Sequence, residues 1–218
     1  MSFSPRGLYP ILDQGWLDQS GFHVSPDEVA SCFARLAIPV LQLRSKGEGG
    51  LQWSFMEPWF AAFRKTAPAT RLIVNDRVDI ALALKADGIH VGQDDLPVAV
   101  CRQLLGDQVW VGLSTHNEEE IQGALASGCD YIGFGPIHAT GTKANTYTIQ
   151  GYKRLTDACT TAGDLPLVAI GGIGLDEVSP CIEAGASGVA MISALWRHEN
   201  WAQRLEDAQA RTQREHSA

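Results

Sequence analysis

The sequence lacks the cysteine spacing that would staple a chain or hold a zinc ion. Its five cysteines (Cys32, Cys101, Cys129, Cys159 and Cys181) are odd in number and scattered, with no C-x-x-C pair. That argues against both a disulfide framework and a zinc site and leaves them as small buried apolar residues. No apolar run approaches the roughly 18 residues of a membrane helix, and Met1 to Arg6 has no apolar h-region, so the expectation is a cytoplasmic chain with no membrane partner. Positive charge is also scarce. The formal net charge is -8, which speaks against a broad nucleic-acid footprint, because such a surface needs clustered cations to displace counterions. Any anionic ligand must be held locally. Nor is there a Ser-His-Asp spacing or a nucleophile elbow, so covalent acyl chemistry finds no support.

What is present is an ordinary globular composition, 45% hydrophobic over 218 residues, enough to bury a full core. Short apolar or β-branched runs alternate with helical patterns. Strands are predicted at 7–12, 40–44, 71–75, 88–91, 109–113, 131–134, 167–170 and 189–192, and helices around 26–37, 53–66, 77–85, 97–105, 117–127, 150–162, 176–185 and 199–214. Eight β-α units of this kind imply parallel pairing with right-handed crossovers and the count of a closed (β/α)8 barrel of the TIM type. We expect one domain over 1–218, with a short arm at 1–6 and a frayed tail from about 211. Ser25 before Pro26 and Asn117 before three glutamates offer helix N-caps; Gly128 and Gly185 mark helix ends. The runs Ala86-Asp87-Gly88-Ile89-His90, Gly128-Cys129-Asp130-Tyr131-Ile132 and Gly185-Ala186-Ser187-Gly188-Val189 form a weak internal repeat in which a helix end passes at once into a strand.

The most unusual stretch is Val40-Leu41-Gln42-Leu43-Arg44-Ser45-Lys46. Strand alternation puts Gln42, Arg44 and Lys46 on one face and the leucines on the other. Two cations on one face repel unless an anion such as a diphosphate lies between them, although a solvated edge strand has the same pattern. In a barrel the active site gathers at the C-terminal strand ends. There the sequence places Arg44 and Lys46, Asn75-Asp76, Gln93-Asp94-Asp95, Ser114, Thr140-Gly141-Thr142-Lys143, Gly171-Gly172 and Ile192-Ser193. Asp76 and Asp95 end neighbouring strands and are candidates to share Mg2+, which takes one or two carboxylates plus phosphate oxygens. Each also has a plainer reading, Asp76 as a helix N-cap and Asp95 as a turn former. The hydroxyls of Thr140 and Thr142 followed by Lys143 suit phosphate oxygens, or belong to a merely solvated loop. The glycines of the seventh end and the short segment after the eighth make a phosphomonoester cup. His90 either faces the lumen toward a heteroaromatic ring or is a satisfied core imidazole.

Gln42-Leu43-Arg44-Ser45-Lys46, Asn75-Asp76-Arg77, the Asp87 to Asp95 run, Gly112-Leu113-Ser114-Thr115-His116, the Gly135-Pro136 to Lys143 arm and Ala169-Ile170-Gly171-Gly172-Ile173 together resemble the thiamine phosphate synthase family, in order, from about Gly7 to Leu195. The resemblance implies a transferase that joins 4-amino-2-methyl-5-(diphosphooxymethyl)pyrimidine to a thiazole phosphate and releases pyrophosphate. It further implies that Gln42, Arg44, Lys46, Asn75, Ser114 and Lys143 hold the pyrimidine diphosphate and that Asp76 and Asp95 bind Mg2+. Thr140, Thr142, Gly172, Ile192 and Ser193 would hold the thiazole phosphate. The implied mechanism is dissociative, with Arg44, Lys46, Lys143 and the metal easing pyrophosphate away and no protein nucleophile. A sister group of thiazole tautomerases shares the barrel and cup, but this sequence keeps Asp76, Asp95 and Lys143 and has Pro136 where that group tends to place histidine. A non-catalytic phosphate-binding barrel is the other alternative. The partners implied are small phosphorylated molecules, and self-association into a homo-oligomer stays open; six tryptophans either line an interface or pack helices onto the barrel.

Overall fold

A computed structural model describes residues 5–47, 50–140, 147–197 and 199–213. Eight parallel strands close in sequence order: β1 (Gly7–Asp13), β2 (Val40–Arg44), β3 (Arg71–Asn75), β4 (Gly88–Val91), β5 (Trp110–Thr115), β6 (Tyr131–Phe134), β7 (Leu167–Ile170) and β8 (Gly188–Met191), with β8 returning to pair with β1. The expected barrel is the observed one. Five strands match the sequence-predicted bounds; β5 runs two residues further and β8 starts one residue earlier.

Helices form the outer ring. α1 (Gln14–Ser20) and α2 (Pro26–Leu36) follow β1, then α3 (Gly50–Thr66), α4 (Val78–Ala83), α5 (Val98–Leu105), α6 (Glu118–Ser127), α7 (Gly151–Ala162) and α8 (Val178–Glu183) each follow a strand. After β8 come the single turn α9 (Ser193–Trp196) and the closing α10 (Trp201–Gln213). Helix α1 is absent from the sequence reading. It has no buried residue and hence no apolar stripe to betray it; Asp13 caps it by accepting from the Trp16 N–H at 2.8 Å, and left-handed Gly21 ends it. Asn117 caps α6 as expected, accepting from the Glu120 N–H at 2.9 Å. Ser25 stands at the N-cap of α2 with extended backbone, yet its hydroxyl makes no capping bond. Among the described residues no helix is long and apolar enough to cross a membrane.

Strand alternation divides the core in two. Leu8, Leu12, Leu41, Leu43, Ile89, Val91 and Ile132 face the helices, while Tyr9, Ile11, Val40, Ile73, Trp110, Tyr131, Val168 and Ala190 fill the lumen. Four of the cysteines are buried and Cys159 is half-buried against the helix layer, in line with their reading as small apolar residues. Of the tryptophans, Trp59 and Trp196 belong to the outer core, Trp16 and Trp201 pack against it, and Trp110 lies in the lumen.

The sequence repeat has a structural meaning at the bottom of the barrel. Asp87, just before β4, accepts from the Leu72 N–H of β3 at 2.7 Å and from Arg64 at 2.9 Å. Asp130, just before β6, accepts from the Val111 N–H of β5 and from Arg102, both at 2.7 Å. Each aspartate thus satisfies a strand N–H that the ladder leaves over and anchors an arginine of the helix layer. In the third copy Ser187 occupies the position and takes part through its backbone, its N–H donating to the Leu167 carbonyl at 2.8 Å and its carbonyl accepting from Gly7 N–H at 2.9 Å.

Candidate functional site

A cavity of about 620 Å3 opens at the C-terminal end of the barrel. Its lining includes Gln42, Arg44, Asn75, His90 and Ser114 on one side and Thr140, Gly172, Ile192 and Ser193 on the other. Residues expected to serve two different phosphorylated groups therefore border one space. Lys46, Asp76 and Asp95 are not part of that lining. Thr142 and Lys143 fall outside the described residues.

The basic strand folds as alternation requires, with Gln42 buried toward the lumen and Leu41 and Leu43 buried on the opposite face. The expectation that Arg44 and Lys46 need an intervening anion is corrected in one respect: each cation already has its own carboxylate. Arg44 is ion-paired to Asp13, whose side chain is 4% exposed, and Lys46 to Asp76. The acidic and basic groups touch rather than face each other across a gap. Asp13 is not among the sequence-predicted site residues, since it ends the first strand outside every motif quoted above. Its register partner in β2 is Arg44 itself, and an acid paired in register with a lumenal arginine is the signal that was available.

Asp76 does not cap α4. Arg77 occupies that position, and Asp76 takes a left-handed backbone with φ 61°, tied to β4 by donating its N–H to the His90 carbonyl at 2.8 Å. Burial lifts its carboxyl above the usual carboxylate range; Lys46 opposes the rise and the neighbouring Asp95 adds to it. The two acids are therefore close enough to sense one another. Asp95 is at the same time the turn former of its plainer reading, accepting from the Gly92 N–H at 2.7 Å. Asp94 is exposed. The strand-two end is braced by Ser45, which donates to Gln14 at 2.6 Å, and by Gln52, which donates to the Ser45 carbonyl at 3.1 Å.

The other wall is built from close backbone approaches. The first residues of the β6 loop extend the β7 edge, with Ile137 N–H donating to Ile170 at 3.0 Å and His138 N–H to Gly171 at 2.9 Å. Gly172 has φ 66°, and a Cβ there would run into the Ala139 carbonyl, so only glycine lets the two loops meet. Ile192 N-caps α9, and the turn is pinned by Trp196, whose indole donates to the Ile11 carbonyl at 2.8 Å. Arg197 and Arg204 also reach the cavity lining; both come after the stretch on which the sequence reading rested, and neither was anticipated.

His90 faces the lumen and is at the same time a hydrogen-bonded imidazole. Its ring borders the cavity, and its Nδ1 and Nε2 lie 3.2 Å from Tyr131 Oη and 3.0 Å from Ser114 Oγ. Tyr131 in turn bonds Tyr9 at 2.7 Å, and Gln42 Nε2 donates to Tyr9 at 3.1 Å. Burial raises both phenols well above the ordinary tyrosine range, so each is a neutral hydroxyl.

The family model for thiamine monophosphate synthase matches residues 8–195. Thiamine-phosphate synthase of Salinibacter ruber is 40% identical over 178 residues, 80% of this chain and 78% of that protein. That of Chlorobium phaeovibrioides is 44% identical over 178 residues, 76% and 80%. Among solved structures, thiamine phosphate pyrophosphorylase from Pyrococcus furiosus superposes with a TM-score of 0.79 at 24% identity, covering 95% of this chain and 96% of its own, a likeness of fold.

Proposed function

The chain belongs to the thiamine monophosphate synthase family, and on that footing we propose that its cavity joins 4-amino-2-methyl-5-(diphosphooxymethyl)pyrimidine to a thiazole phosphate, releasing pyrophosphate. The enzyme is a transferase of that class, and its partners are two phosphorylated small molecules. One observation carries the site assignment: Gln42, Arg44, Asn75 and Ser114 border the same cavity as Thr140, Gly172, Ile192 and Ser193. A diphosphate bound beside Arg44 and a monophosphate bound over Gly172 would bring their two heterocycles together inside it.

On this reading Arg44 and Lys46, with Lys143, hold the diphosphate as it leaves. Gln42 and Ser114 orient the pyrimidine, with Asn75 beside them. The thiazole phosphate rests on the Gly172 backbone, Ser193 and the hydroxyls of Thr140 and Thr142, with Ile192 against its ring. The thiazole nitrogen captures the pyrimidine methylene cation, so no side chain serves as nucleophile. Catalysis is then stabilisation of charge on the leaving group plus alignment of the acceptor. Asp76 and Asp95 fit a magnesium ion: they are adjacent carboxylates of which one, lifted by burial and by its neighbour, would gain from a cation. When bound, Mg2+ supplies positive charge to the departing diphosphate.

Mixing both substrates with and without Mg2+ and following pyrophosphate tests the proposal. Release that needs both substrates and the metal is expected; a chain that binds either phosphate without release, or that only isomerises the thiazole, would overturn it. Lys143→Ala should lower turnover far more than thiazole phosphate binding, and equal losses would contradict the role given to Lys143.

A further inference from the structure

Five side chains of the lumen form one unbroken line of hydrogen bonds: Gln42, Tyr9, Tyr131, His90 and Ser114. They come from five different strands. Room is made for it: a Cβ at Gly112 would meet His90 Nδ1 at 2.5 Å as well as the Tyr131 ring, and one at Gly133 would press on the His90 ring at 3.3 Å. Neutral phenols and a serine each donate one proton and accept others, so fixing the direction of one bond leaves a single arrangement in which every proton along the line is paired. Gln42 sets that direction, because its Nε2 can only donate to Tyr9. In that arrangement Tyr9 donates to Tyr131, Tyr131 to His90 Nδ1, and His90 Nε2–H to Ser114 Oγ. The Ser114 proton is left to point at an acceptor in the cavity. At the opposite end Gln42 has its acceptor Oε1 and the second N–H of Nε2 left.

We propose that Tyr9 and Tyr131 are positioning residues that lock the hydrogen-bond direction of Gln42 and Ser114, and thereby make the lumen select a 4-aminopyrimidine over its 4-oxo counterpart. The locked line presents an acceptor from β2 and a donor from β5. A 4-aminopyrimidine answers with an exocyclic N–H and a ring nitrogen. Placed the same way, a 4-oxo ring sets its oxygen against Gln42 Oε1 and its ring N–H against the Ser114 proton, acceptor on acceptor and donor on donor, which is the kind of mismatch that discriminates strongly. The inference rests on the synthase reading for its substrate. The direction of the line is a property of the chain alone.

Two measurements test the two parts separately. In uniformly 15N-labelled full chain without ligand, the His90 signals, identified by their loss in His90→Gln, should show a protonated Nε2 and an unprotonated Nδ1. The reverse tautomer would overturn the proposal whatever the enzyme does. For turnover, kcat/KM is compared for the amino and oxo pyrimidine diphosphates. Tyr9→Phe should narrow the ratio by roughly tenfold or more while leaving the KM for thiazole phosphate in place; equal losses on both pyrimidines would mean a merely structural role and sink the idea. Should Tyr9→Phe fail to fold, Tyr131→Phe serves, with mixed His90 tautomers expected beside the narrowed ratio and an unchanged single tautomer counting against it. A wild-type chain that shows the expected tautomer but releases no pyrophosphate would refute the synthase reading, and with it the selectivity, while leaving the bond direction standing.

Discussion

The carboxylate of Asp13 holds the guanidinium of Arg44 across the first strand pair of the barrel while its other oxygen caps the following helix. One side chain therefore ties a proposed diphosphate ligand to the start of α1. The pair is almost out of solvent, at 13% exposure for Arg44 and 4% for Asp13.

Asp13→Asn separates the two duties, since an amide oxygen still accepts from the Trp16 N–H but no longer neutralises Arg44. Leaving a largely buried charge without its counterion costs on the order of 3 kcal/mol. Chemical denaturation should show a loss of about that size. Steady-state kinetics should show kcat/KM for the pyrimidine diphosphate reduced roughly tenfold with the thiazole phosphate KM unmoved. Retention of full stability would mean that the ion pair is not what holds Arg44.

Asp76→Asn should separate metal from fold in the opposite sense. Asparagine tolerates the left-handed backbone at φ 61°, and it removes a charge that burial disfavours. A folded carboxyl lifted above its unfolded value stabilises the fold only below the unfolded value, and that contribution is lost as pH rises through the folded one. At neutral pH the substitution should therefore leave the melting temperature equal or higher. If the residue binds Mg2+, the concentration for half-maximal pyrophosphate release should rise about tenfold or more. An unchanged magnesium requirement would remove Asp76 from the metal site.

How far the sequence carried this reading depended on periodicity. The basic strand was legible because period-2 alternation needs no tertiary information: Gln42 and Arg44 face the cavity as the pattern demanded. The strand-end rule likewise brought Ser114, Gly172 and Ser193 to one space although they are far apart in the chain. What escaped lay in contacts without a sequence period. Asp13 meets Arg44 only through β1–β2 register, α1 has no apolar face to detect, and the Tyr9 and Tyr131 hydroxyls, 2.7 Å apart, belong to residues far separated in the chain.

Gly172→Ala tests the phosphate cup by crowding it. The new methyl would collide with the Ala139 carbonyl in a backbone conformation that alanine disfavours, so the β6 and β7 loops must part where the thiazole phosphate is proposed to sit. The KM for thiazole phosphate should rise tenfold or more with that for the pyrimidine diphosphate little changed. A uniform fall in kcat with both KM values intact would place the damage elsewhere.

The cysteines supply a prediction about pH that is independent of the active site. Burial pushes the Cys159 thiol up to about 11 and the Cys181 thiol up to about 12, from an ordinary 9.0, and raises Cys32, Cys101 and Cys129 as well. The thiolate is the nucleophile, so iodoacetamide at pH 8 should leave the folded chain essentially unlabelled while alkylating all five residues once it is unfolded. Because the folded values lie above the unfolded ones, the unfolded chain releases these protons first. The stability that the thiols contribute is complete below pH 9 and is lost as pH climbs through the folded values of about 11 and 12. Denaturant midpoints taken from pH 8 to 11 should therefore fall in the wild type and fall less in Cys181→Ala. Equal slopes in the two proteins, or rapid labelling of the folded chain, would show that these thiols are not shielded by the helix layer.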